Sequence, residues 1–196
     1  MNVVAVRLLC RRMNVRLKLA TGDEAQIIKN LWSLYQHDLS AFNGAAANRY
    51  GLFSDDDNVS SLAQHLDSLD PWWQDPNALF PYLIVVDGSP AGFNLIAGRS
   101  RLPHNIPADF VVHEFFILHA YRGNTVAERA AVDGFNRHRG VWEVVTYPAH
   151  RRAIAFWRRV INQYTSGQFS EEEGDHPWGR RVAFRFNNMI LATTTS

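Results

Sequence analysis

A chain of 196 residues that is 46% hydrophobic can bury one substantial core, so a single domain is the expectation. Twenty basic residues against nineteen acidic ones leave a net charge of +1, which supplies no global field for nucleic acid or an anionic membrane. The single cysteine, Cys10, excludes an internal disulfide and a cysteine zinc cluster and fits a reducing cytoplasm. No apolar run approaches the ~20 residues that a membrane helix needs.

The patterned sequence begins after Met13. Residues 1–12 hold a short apolar run broken by Arg7 and followed by Arg11 and Arg12 rather than by a small-residue cleavage site, so a disordered N-terminal extension is expected there. Residues 13–188 then form one domain and 189–196 a tail. Residues 14–20 alternate apolar and polar, as an edge strand does. After Thr21, the positions Ile27, Leu31, Leu34 and Tyr35 recur at helical spacing, with Asp23 and Glu24 in the first turn, where the helix dipole favours them. Residues 41–57 read as a loop and 59–69 as a short second helix. Residues 81–98 read as a hairpin about Asp87-Gly88-Ser89-Pro90, because Asp-Gly supplies the positive φ of a tight turn.

The apolar run 109–118 predicts a central strand that passes through the turn HAYRGNTVA into a helix with Val126, Ala130, Ala131 and Phe135 inward and Val132 out of pattern. A strand opens at 141–147. The next helix carries Ala153, Trp157, Val160, Ile161 and Tyr164 on one stripe and Arg151, Arg152, Arg158 and Arg159 on the other. A weak strand and a clean one, 181–187, complete the order β-α-(α)-β-β-β-α-β-α-(β)-β. A strand that ends in a loop of free N–H groups at a helix N-terminus can hold a pyrophosphate without a metal, which points to a nucleotide-bearing cofactor.

This order resembles the GNAT superfamily of acetyl-CoA-dependent N-acetyltransferases over residues 14–187. The piece Ile117-Leu118-His119-Ala120-Tyr121-Arg122-Gly123-Asn124-Thr125-Val126-Ala127 resembles the family's strand end and its Arg/Gln-x-x-Gly-x-Gly/Ala pyrophosphate loop, with Thr125 at the first glycine position. Trp142-Glu143-Val144 and Ala153-Ile154-Ala155-Phe156-Trp157 resemble the fifth strand and the following helix. There His150 stands for the usual Asn, and Trp157 for a tyrosine that serves many members as general acid. Tyr164, seven residues on, lies ~10 Å farther along the helix and cannot simply stand in. Residues 35–40, 81–84 and 91–93 are similar to a bacterial branch of predicted acetyltransferases.

The resemblance implies an α/β (α+β) fold with a mixed, mostly antiparallel central sheet splayed between strands 4 and 5. It implies acetyl-CoA held by Phe116, Ile117, Leu118, Arg122, Gly123, Asn124, Thr125, Val126, Ala127, His150 and Phe156, with the Leu118 N–H facing the thioester oxygen as an oxyanion donor. Glu114 is the candidate base, since the strand around it should desolvate its carboxylate and raise its pKa; a carboxylate paired with an arginine is the competing structural role. His113 should face the other way, so that at most one of the two lines a given cavity. Tyr35 and Asp38 are candidate acceptor-binding residues, Asp38 for a substrate ammonium, although a solvated helix-end Asp is the plainer expectation. His113, Glu114 and His119 lack the His-Glu-x-x-His spacing, so metal binding is not expected.

The function implied is acetyl transfer to a primary amine of a small molecule or peptide, by direct attack in a ternary complex. Thr125, His150 and Trp157 keep open an acyl-CoA binder of this fold with weakened catalysis. A nucleic-acid-binding module using the four-arginine face is the third reading, and the near-neutral charge speaks against it. Neither nucleic acid nor a membrane is expected as a partner. Oligomeric state, a homodimer included, stays open.

Overall fold

The computed structural model describes residues 13–54 and 56–190; Cys10, the expected 1–12 extension and most of the 189–196 tail lie outside them. Seven strands form one sheet: β1 (Val15–Leu19), β2 (Leu79–Val86), β3 (Ser89–Gly98), β4 (Phe110–Ile117), β5 (Val141–Thr146), β6 (Ser170–Gly174) and β7 (Arg181–Asn187). Four helices flank it: α1 (Ala25–Asn43), α2 (Leu62–Asp67), α3 (Val126–Arg137) and α4 (Arg151–Thr165). The sheet order is β1-β2-β3-β4-β5-β7-β6, antiparallel except for the β4–β5 pair. This is the mixed, mostly antiparallel α/β sheet expected from the resemblance.

Local chemistry accounts for most of these elements. At the β2–β3 turn Asp87 and Gly88 have φ of 49° and 88°, the two positive values that match a tight hairpin to the twist of its strands. Ser61 caps α2 by accepting from the Gln64 N–H. The Glu-rich β6 is exposed, which protects the sheet's outer edge from pairing with other chains. Gly92 is demanded by a close approach: a Cβ there would lie 1.9 Å from the Phe116 carbonyl oxygen.

Two cores form, one on each face of the sheet. Helices α3 and α4 bury Val126, Ala130, Phe135, Trp157 and Ile161 against one face. Val132 is only half-buried, as its place in the periodicity foretells. On the other face α1 and α2 cover Leu79, Phe93, Leu95 and Val111. There the stripe differs from expectation: Ile28, Leu31 and Tyr35 are buried, while Leu34 is 51% exposed. The spacing 28, 31, 35 follows one side of a 3.6-residue helix, and a helix lying on a sheet needs only that side.

The β4–β5 pairing is short. Only Phe110, Val111 and Val112 pair with Trp142, Glu143 and Val144. Beyond Val112, β4 stays with β3 up to Ile117, and β5 stays with β7 up to Thr146. The two strands therefore part in mid-sheet, and their facing edges are left without each other's hydrogen bonds.

His138, just past α3, illustrates how the first core depends on pH. Its Nε2 lies 2.9 Å from the Tyr82 hydroxyl and its ring packs on Phe80 at 4.2 Å. Burial, with the nearby Arg137 charge, lowers its pKa to about 4. The unfolded chain therefore takes up this proton near pH 6.5 and the folded chain only near 4. Stability from this group is complete above pH 6.5 and declines as pH falls through that window. Urea unfolding between about pH 7 and about 4.5 is expected to report a loss of roughly 1–2 kcal/mol from it, allowing for solvent screening of a half-exposed ring. In His138→Gln that part of the decline disappears.

Candidate active site

The parting strands open a cleft of about 160 Å³. β4 forms one wall, the ends of β5 and β7 the other, and α1 the roof. At the roof's far end Phe42 stacks on His150 at the start of α4, with ring centroids 3.8 Å apart and planes 13° from parallel. Burial, followed by the charges of Arg122 and Arg152, lowers the His150 pKa, which keeps its imidazole neutral at physiological pH.

A bulge in β4 shapes the floor. Leu95 pairs with Glu114, but Ile96 pairs with Val112, so His113 is an extra residue in the ladder. Strict alternation predicts that His113 and Glu114 point to opposite faces; the bulge corrects this, and both line the cleft. His113 Nδ1 lies 3.4 Å from Glu114 Oε1, and its ring sits between Trp72 at 5.5 Å and Trp178 at 5.2 Å. The Tyr35 hydroxyl donates to Glu114 Oε2. Burial, and then the Glu114 carboxylate, raises the Tyr35 pKa well above that of an ordinary phenol, so Tyr35 stays protonated and acts as a donor. Tyr35, a candidate acceptor-binding residue, lines the cleft with its hydroxyl committed to Glu114.

Asp38 is placed differently from expectation. Its carboxylate accepts from Arg122 Nη2 at 2.5 Å and lies 3.3 Å from His119 Nε2. Burial works against its ionisation, but the hydrogen bond and charge of Arg122, together with His119, outweigh it and lower the pKa. Asp38 ties α1 to the loop after β4 and has little left for a substrate ammonium. Arg122 is engaged at all three nitrogens: besides Nη2 on Asp38, Nε donates to the Ile117 carbonyl at 2.7 Å, and Nη1 lies 2.9 Å from His119 Nε2. These contacts brace the loop after β4.

The Leu118 N–H, expected as the oxyanion donor, is also engaged. It donates to the Ala91 carbonyl at 2.8 Å, on the β3 side. Amide direction alternates along a strand, so the N–H of Phe116 shares that side. Those of Phe115 and Ile117 face the gap that β5 leaves. Phe116 itself is buried at 4% exposure on the α1 side, and Phe115 stacks on Phe156 at 6.0 Å on the other.

The loop into α3 needs positive φ only at Gly123, where φ is 77°. Thr125 adopts φ −79°, ψ 3°, so a β-branched residue is accommodated there without strain. The Val126 side chain is fully buried, as its place on the inner stripe foretells, and its N–H is taken by Asn124 Oδ1 at 2.9 Å. Among the described residues, nothing accepts from the N–H groups of Gly123, Asn124, Thr125 and Ala127. These amides crown a helix N-terminus, the arrangement that suits an anion.

Three aromatic or charged residues of the cleft carry no mark in the sequence. Tyr147 follows β5, Arg181 opens β7, and Trp178 sits between β6 and β7. Trp178 is held there by a chain of contacts: its N–H donates to His176 Nδ1 at 3.3 Å, and His176 Nε2 bonds the fully buried Glu143 Oε1 at 3.0 Å. Arg185 holds the other oxygen of Glu143. No motif marks these positions, since they come together only through the β5–β7 pairing. Trp157, where the resemblance implies a tyrosine in many members, is buried at 5% exposure against Phe115. Tyr164 donates to Asn136 instead. On the arginine face, Arg158 is paired to Glu171 of the acidic strand β6. Among the described residues no group of side chains could hold a metal ion, and no helix is long and apolar enough to cross a membrane.

Solved structures share the overall fold of this sheet and its helices. The chain is similar to an acetyltransferase from Thermus thermophilus, with a TM-score of 0.58 and 15% identity over 89% of this chain and 97% of that one. The fold is that of the GNAT acetyltransferases. The aminoglycoside acetyltransferase AAC(6')-Ib, solved with coenzyme A and kanamycin, has a TM-score of 0.61 and 15% identity over 93% of this chain and all of that one. Mycobacterium smegmatis RimJ, in complex with CoA-disulfide, has a TM-score of 0.59 and 15% identity over 91% of this chain and 84% of that one. No protein-family model and no curated protein matches the sequence.

Proposed function

We propose that the chain is an acetyl-CoA-dependent N-acetyltransferase acting on a primary amine of a small molecule or peptide. The observation that carries this reading is the continuous open edge: the Phe115 and Ile117 amides face the gap between β4 and β5, and the edge ends at the open amides of Gly123, Asn124, Thr125 and Ala127. An edge of this kind fits a pantetheine arm by strand-like hydrogen bonding, and the loop fits a diphosphate. The presence of coenzyme A in the structurally similar AAC(6')-Ib, and of CoA-disulfide in RimJ, supports the same assignment.

Acetyl-CoA, when bound, would supply an acetyl group on a thioester, an activated carbonyl with a good leaving thiolate. The loop lies at one end of β4 and the closed β4–β5 junction at the other. A cofactor with its diphosphate on that loop would have its reactive end toward the junction. The Phe115 N–H would then be the donor to the carbonyl oxygen, and the Ile117 N–H would hold the arm. Glu114, next to Phe115 and oriented by Tyr35, takes the proton that the amine loses as it attacks. No tyrosine stands at the Trp157 position to protonate the leaving sulfur. A thiolate of pKa ~8.5 needs little such help near neutrality.

Calorimetric titration with acetyl-CoA tests the reading: saturable binding is expected, and no heat at millimolar cofactor ends it. The buried Trp157 favours one second reading, a binder of acyl-CoA with weakened catalysis. The two separate in a thiol-release assay over an amine panel, where the binder would hold the cofactor and release no thiol with any amine.

A further inference from the structure

We propose that the acceptor is a small amine that also carries a carboxylate, of which an α-amino acid is the simplest, with its amine at Glu114 and its carboxylate on Arg181. This rests on the acetyl-transfer reading and narrows its substrate class. Arg181 lines the same cleft as Glu114, Tyr35 and Trp178. Its guanidinium is fixed in place, 3.9 Å over the Tyr147 ring with Nη1 donating to the Arg180 carbonyl at 2.9 Å. That leaves Nε and Nη2, the pair of donors that matches a carboxylate in two parallel hydrogen bonds.

What singles Arg181 out is the counter-ion it lacks. Its neighbours on the same hairpin are paired, Arg180 with Glu173 and Arg185 with Glu143. Among the described residues no carboxylate lies within ion-pairing distance of Arg181. Its charge reaches the cleft, where it opposes the rise in the Tyr35 pKa. A half-buried cation with no anion is a cost to the free protein, and a ligand carboxylate relieves it.

The rest of the lining argues in the same direction. Glu114 is the one carboxylate in it among the described residues, and Tyr35 already holds one of its oxygens. A polycationic amine would find a single anionic partner and a guanidinium opposing it. An amino acid would find one partner for each of its charges. The ring of Trp178, beside that of His113 in the cleft lining, provides an apolar surface for its side chain.

The test is equilibrium binding, so turnover is not required. Leucine and phenylalanine are titrated against leucinamide, phenylalaninamide and kanamycin, into the full chain with and without saturating coenzyme A. The free acids are expected to bind about 10- to 100-fold more tightly than their amides, the range for a hydrogen bond between charged groups. In Arg181→Gln that ratio falls to within about threefold, and Arg181→Lys, which keeps the charge without the paired donors, retains part of it. Amides or kanamycin binding as tightly as the acids would overturn the proposal. So would a ratio that survives Arg181→Gln, or no binding of either acid in both conditions. The coenzyme A titration is a separate readout: binding of coenzyme A without preference for the acids refutes only the acceptor class, whereas absence of coenzyme A binding refutes acetyl transfer.

Discussion

Replacing Glu114 by Gln is expected to lower kcat/KM for any amine acceptor by about 10²- to 10⁴-fold, the usual contribution of one positioned general base. The amide keeps the shape of the carboxylate and can still accept from the Tyr35 hydroxyl, so fold and cofactor affinity are expected to persist. What it cannot do is take a proton. Tyr35→Phe removes only the orientation, and its loss should be smaller, of the order of tenfold. Steady-state kinetics of the two variants with acetyl-CoA therefore rank the roles. Wild-type rates in Glu114→Gln across the pH range would remove Glu114 from the chemistry and leave it as a structural partner of Tyr35 and His113.

Thr125→Asp separates stability from cofactor binding. Thr125 occupies the N-cap of α3 with unstrained dihedrals, and Asp is among the preferred residues at such a position, where it also complements the helix dipole. Its thermal midpoint is accordingly expected to stay level or rise. The same carboxylate stands among the open amides of Gly123, Asn124 and Ala127, in the place assigned to a diphosphate. Placing like charges together costs several kcal/mol, so acetyl-CoA affinity should fall by at least about 100-fold. A variant that binds the cofactor as tightly as the wild type would move the diphosphate away from this loop.

Both experiments act on groups that chain-order reasoning reaches to very different degrees. The loop was legible because its signals are local. Gly123 permits the positive φ, Asn124 folds back on the Val126 N–H, and the helix period begins at once with Val126, Ala130 and Phe135. The same holds for the Asp87-Gly88 turn and for the two faces of α4. Each of these depends on residues within a turn or two of one another.

The interior of the site was not legible to the same degree. Alternation along β4 places His113 away from Glu114, but alternation assumes an unbroken ladder. The extra residue is defined by its partners Leu95 and Ile96 on another strand. Asp38 looks solvent-facing in its own helix, yet Arg122 reaches it from 84 residues away. Leu118 carries an amide like any other until Ala91 is set beside it.

From residue order alone came the succession of strands and helices, the hairpin turn and the buried stripes of α3 and α4, because dihedral preference and apolar period are short-range properties. Which strand edges stay open, which carboxylate is already paired, and that Tyr147, Trp178 and Arg181 meet Glu114 in one cleft were decided by the tertiary structure. Those contacts join residues distant in the chain, and their hydrogen bonds and charges have no partner until the sheet is assembled.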